Sequence, residues 1–153
     1  MLTCPQHGWS EFRLENTSRY SLSYLDDIAF EWLEQAIHGL ENLYPFCVKG
    51  NLEPDRLLCV VSHWHCHIII ENDDRCPLDK DEIIHEFSDT NMLDFCRYLY
   101  EDISKNINEW ASFVSYNNEN TEVKFQELTN LLEKLRLLII SKEEYFGKNR
   151  GFS

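Results

Sequence analysis

A chain of 153 residues with 43% hydrophobic and 13% aromatic content holds enough apolar material for one packed domain, and too much for a disordered chain. Its formal charge of −13, from 27 acidic against 14 basic residues, opposes binding to nucleic acid or to an anionic membrane surface, both of which select basic patches. Met1–Glu11 has no basic start leading into an apolar run, and the longest uncharged stretch, Leu57–Ile70, is too short to cross a bilayer. A cytoplasmic protein is therefore expected.

Along the chain, Phe12–Glu15 reads as a short strand closed by a turn at Asn16–Ser18. Apolar residues then fall at Leu25, Ile28, Ala29, Trp32, Leu33, Ala36, Ile37 and Leu40, the spacing of one helix face. With Ser23 as N-cap and Asp26 and Asp27 in the first turn, a helix is predicted over Tyr24–Asn42. Phe46–Val48 reads as a strand. Leu57–Val61 and Ile68–Ile70 are rich in β-branched residues and apolar on both faces, which predicts strands inside the sheet or under helices. His63–Cys66 is either the turn between them or the middle of one long strand. Pro77–Phe87 fits a helix or a strand.

Asp89, Thr90 or Asn91 then caps a long helix whose stripe runs Cys96, Leu99, Tyr100, Ile103, Ile107, Trp110, Val114, giving an expected end near Ser115. After a polar loop, a last helix is predicted from Thr121, its candidate cap, to Ile140. Leu128, Leu131, Leu132, Leu135, Leu138 and Ile139 mark its apolar face. The short connection makes these two helices an antiparallel hairpin, and the tail 147–153 is expected to fray. The sum is one α+β domain over residues 1–153: a small, mostly antiparallel sheet packed by an N-terminal helix and a C-terminal helical hairpin.

The chemistry-bearing residues point in few directions. In a reducing compartment the six cysteines, Cys4, Cys47, Cys59, Cys66, Cys76 and Cys96, are expected as free thiols, with Cys47, Cys59 and Cys96 serving as small core hydrophobes. His63, His65, Cys66 and His67 are the candidate metal ligands. On a strand the three alternating histidines share one face, with Cys4 and His7, or Cys76, completing a site. Against that, no paired CxxC spacing is present. No nucleophile elbow or phosphate loop is legible, and pairs such as Cys66 with His38 or His85 lack a third group, so neither an enzyme nor a cofactor is expected. Trp32 and Trp110 lie on helical stripes and read as core. Trp9 and Trp64 lie in less regular segments.

Charge is unevenly spread. Residues 71–110 carry 12 acids against 4 bases, whereas 111–153 carry 6 of each. Such a surface attracts a basic protein and speeds its encounter. Candidate partner-binding residues are Glu71, Asp73, Asp74, Asp79, Asp81, Glu82 and Glu86, with Trp64 as an aromatic anchor.

Leu22-Ser23-Tyr24, then Trp32, then Gly39-Leu40, resemble the helix region of immunity proteins from bacterial contact-dependent growth inhibition systems; the resemblance spans residues 20–72. The long helical hairpin of the last third departs from it. The resemblance implies a protein that binds the C-terminal toxin domain of a cognate secreted protein and occludes its active site, inside the producing cell. Such toxins are often basic nucleases, which an acidic inhibitor complements. The other reading is a small metal-binding or regulatory protein built on His63–His67.

Overall fold

The computed structural model describes residues 1–72, 80–113 and 121–149. It is an α+β fold with two antiparallel sheets. Strands β1 (Trp9–Phe12) and β2 (Tyr20–Ser23) form a hairpin, and β3 (Phe46–Asn51), β4 (Arg56–Val61), β5 (Cys66–Glu71) and β6 (Ile84–Ser88) form a meander in that order. Helix α1 (Ile28–Asn42) separates the two sheets in sequence. Helices α2 (Met92–Lys105), α3 (Ile107–Ala111) and α4 (Thr121–Asn149) follow the meander. Among the described residues, no helix is long and apolar enough to cross a membrane.

The first segment departs from the expectation. The strand begins at Trp9, not Phe12, and a second strand occupies Tyr20–Ser23 where a helix cap was predicted. Ser23 is buried in β2, α1 starts only at Ile28, and Leu25, counted in the helical stripe, is 46% exposed ahead of it. Asp27 stands at the cap position without a side-chain cap bond. The rest of the stripe packs as read: Ile28, Ala29, Trp32, Leu33, Ala36, Ile37 and Leu40 are buried. Gly39 lets α1 lie close to β3, since a Cβ there would stand 2.2 Å from the Phe46 ring.

Strands β3, β4 and β5 alternate buried with less buried residues. The inward rows are Phe46–Val61–Cys66–Ser88 and Val48–Cys59–Ile68–Glu86, of which all but Ser88 and Glu86 belong to the hydrophobic core. The β1–β2 hairpin also touches this face: Leu22 meets Gly50 at one edge, and Ser18 and Tyr20 bond Glu86 at the other. Pro77–Phe87 resolves in its described part into a 3-10 turn at Lys80–Glu82 and the strand β6, because Ile84, Glu86 and Ser88 pair in register with Ile70, Ile68 and Cys66.

Of the three cap candidates for α2, Asn91 does the work. Its side chain accepts a hydrogen bond from the Asp94 backbone N–H at 2.8 Å. The predicted single helix to Ser115 is instead broken at Asn106, whose φ of −125° and ψ of 41° leave the helical region and whose N–H bonds the Ile103 carbonyl. The apolar stripe survives the break, with Ile103 and Trp110 both buried. Trp32 is buried as well, as expected of a stripe residue.

The last helix runs past the predicted stop at Ile140 to Asn149, and residues 150–153 of the tail expected to fray lie outside the described residues. Ser141–Glu144 is polar, but Phe146 lies two turns beyond Ile139 on the same face and is fully buried. Thr121 already lies within this helix and so is not its cap. Arg97 in the first half of α2 reaches Glu143 in the last third of α4 at 3.2 Å, a pairing that suits the antiparallel packing expected of them.

Candidate functional site

The side of the meander that faces away from the core carries the most unusual surface. Its rows read Cys47–Val60–His67–Phe87, then Lys49–Leu58–Ile69–His85, then Arg56–Glu71. None of these residues is buried, although on β3, β4 and β5 the residues that alternate with them are. Leu58, Val60 and Ile69 are half-buried, and Phe87 on the edge strand β6 is 62% exposed. As the continuous apolar runs predicted, β4 and β5 lie inside the sheet, between β3 and β6, with one face buried and the other half-buried. Cys47, expected in the core, lies exposed on this outward face, while Cys59 and Cys96 are buried as read. The face is mixed, with Leu58, Val60, Ile69 and Phe87 set among Lys49, Arg56, His67, Glu71 and His85, and its exposed Phe87 makes it a candidate site of interaction.

His67 organises its centre. Its ring stacks on Phe87 with centroids 4.4 Å apart and planes at 13°, and on His85 at 5.1 Å. Nε2 of His67 and Nδ1 of His85 are 2.9 Å apart, a hydrogen bond that needs one ring to donate N–H and the other to accept. Burial, followed by the neighbouring His85 and His65, lowers the His67 pKa below its usual 6.5, so its imidazole is neutral at neutral pH. At the other end of the face, the Arg56 Nε donates to Glu71 at 2.7 Å.

The predicted metal cluster comes apart. His63–His65 form the turn between β4 and β5 rather than part of a strand, so no strand alternation sets the three histidines on one face. His63 lies beside the Tyr145 and Phe146 rings, His65 is held at Ser62, and Cys66 points into the core with its thiol toward the Thr90 carbonyl; only His67 faces outward with the sheet. Cys4 and His7 sit in the N-terminal turn, and Cys76 lies outside the described residues. Among the described residues, no group of three or more His, Cys, Asp or Glu side chains is gathered at one place. The pairing of Cys66 with His85 also fails, because the two stand on opposite faces of the sheet.

The predicted partner-binding residues are dispersed. Asp73, Asp74 and Asp79 lie outside the described residues. Asp81 and Glu82 are exposed in the 3-10 turn, and Glu71 is paired with Arg56. Trp64 is 43% exposed at the β4–β5 turn, edge-on to Phe146. At ~3.4 Å per residue, the length of β5 puts about 17 Å between that end of the sheet and Glu71.

Glu86 has a structural task. It accepts from the Ser18 N–H and hydroxyl and from the Tyr20 phenol, which ties the β1–β2 hairpin to β6. Burial pushes the Tyr20 phenol up to about 12, helped by the bond to Glu86 and its charge. Burial also pushes the Glu86 carboxyl up, but the bonds from Tyr20 and Ser18 outweigh it and hold the group below its usual 4.5. The folded carboxylate therefore contributes stability above the unfolded value, and the contribution is lost as pH falls through the folded one. Glu86→Gln is expected to cost about 1 kcal/mol at pH 7. In urea unfolding across pH, the gap between the two proteins should close below pH ~4; a gap independent of pH would refute the role of the charge.

His85 and Phe87 stand on the edge strand of the outward face, beside His67; no sequence pattern singles out Phe87, and His85 is legible there only as a partner for Cys66. The alternation Ile84-His85-Glu86-Phe87 was the available signal, but it places His85 beside His67 only once the strand register is known. Comparisons of the chain with known protein families, with curated proteins and with solved structures gave no match.

Proposed function

We propose that this chain is a protein-binding inhibitor of the immunity type, which acts in the cytoplasm by docking on a basic toxin domain and occluding its active site. The observation that carries the reading is the outward face of the meander: an open sheet with apolar residues at its centre, on a chain of net charge −13. The charge steers a basic partner toward the molecule, and the apolar centre supplies the contact that holds it. This assigns the docking contact to Val60, His67, Ile69 and Phe87. It leaves the exposed acids of the 3-10 turn, Asp81 and Glu82, a steering role at the rim. The resemblance of residues 20–72 to growth-inhibition immunity proteins supplies the class of partner.

Co-expression tests the reading. The chain should restore growth to cells producing the C-terminal toxin domain of the large secreted protein encoded beside it, and should co-purify with that domain at one to one. A toxin that stays fully active beside an equimolar amount of this chain would end the proposal, as would the absence of any such neighbouring gene.

A further inference from the structure

We propose that His67 and His85 form a chelating pair for a divalent transition-metal ion of the copper(II) or nickel(II) class. The two residues are diagonal neighbours on adjacent antiparallel strands, β5 and β6, and both belong to the outward face. Their facing nitrogens, Nε2 and Nδ1, are 2.9 Å apart. With metal–nitrogen bonds of about 2.0–2.1 Å, that separation subtends about 90° at an ion. Ninety degrees is the cis angle of square-planar and octahedral sites, which copper(II) and nickel(II) favour. A tetrahedral zinc site would hold the same nitrogens about 3.4 Å apart.

Three further features suit the pair to this task. The ring that donates the bridging N–H can carry that proton on its other ring nitrogen instead, which frees both facing lone pairs with no net proton release. Phe87 stacks against the His67 ring and fixes its orientation, so less side-chain freedom is lost on binding. His85 is exposed, so an ion reaches the pair from solvent and keeps its remaining positions for water or for a donor group brought by another molecule.

This site differs from the histidine–cysteine run that the sequence suggests: it uses one residue of that run and a histidine 18 positions further on. It does not depend on the inhibitor reading.

Calorimetric titration of the untagged full chain with Ni2+ is the test. One equivalent should bind. His67→Ala and His85→Ala should each weaken binding by at least about tenfold, while His65→Ala and His38→Ala leave it within about twofold. Cu2+ supplied as its iminodiacetate complex should show coupling to two imidazole nitrogens by electron paramagnetic resonance, and to one in His85→Ala. His85 is exposed, and unchanged thermal unfolding of that variant confirms that it folds. No saturable binding at one equivalent would overturn the proposal and leave the pair as a hydrogen bond only. Binding that persists in both His67→Ala and His85→Ala would overturn it equally, by placing the ion elsewhere.

Discussion

Trp32→Ala is expected to destabilise the fold by about 3–5 kcal/mol, a large fraction of the roughly 5–15 kcal/mol that holds a domain together. Trp32 is fully buried and meets three other elements at once. Its ring is edge-on to Phe12 of β1 at 5.2 Å and stacked on Phe95 of α2 at 6.2 Å, and its Nε1 donates to the Lys49 carbonyl of β3 at 2.8 Å. Truncation removes all three contacts and leaves a cavity that α1, fixed at Gly39 against Phe46, cannot collapse to fill. Trp32→Phe keeps most of the volume and should cost less, since the carbonyl lies on an edge strand within reach of water. Urea unfolding measures both, with the slope checked for constancy. A loss under about 1 kcal/mol for Trp32→Ala would mean that the core is not centred on this residue.

The same residue shows why part of the fold was legible. Trp32, Ala36 and Leu40 repeat at four-residue steps because one face of α1 is buried, and burial of one face is what writes a period into a sequence. Leu128, Leu132, Leu135 and Ile139 do so for α4. The misreadings occur where that condition fails. Tyr20–Ser23 is four residues long and half polar, so a helical count starting at Leu25 absorbed its last residue as a cap. Asn106 breaks a helix whose stripe continues across the break, and periodicity does not register a change of backbone angle that leaves the face intact.

The candidate site was less legible for a related reason. Leu57–Val61 and Ile68–Ile70 are apolar at every position, so the alternation that distinguishes an inward from an outward face is erased. Which residues face solvent is fixed by the partner strands, and the pairing of His67 with Phe87 follows from a register no local pattern states. The acids illustrate the opposite limit. An aspartate or glutamate is compatible with almost any surface position, so their concentration in residues 71–110 does not by itself place seven of them on one interface. The fold instead gives Glu86 to the β1–β2 hairpin and Glu71 to Arg56.

If the outward face is the docking surface, Phe87→Ala should raise the dissociation rate of the toxin complex about 30-fold, near 2 kcal/mol, with little change in the association rate. Phe87 is the most exposed aromatic group of that face, and in a complex its ring has the most area left to bury. Its stack on His67 limits the effect on the free protein to about 1 kcal/mol. The acids should behave in the opposite way. Asp81→Lys with Glu82→Lys should slow association, and so should raising the salt, while dissociation stays nearly constant, because exposed charges act on the encounter more than on the bound state. The two rate constants therefore separate the apolar centre from the acidic rim. Surface plasmon resonance on the paired variants reads both. A complex whose dissociation ignores Phe87→Ala but accelerates strongly in the acid reversal would move the contact from the sheet to the 3-10 turn.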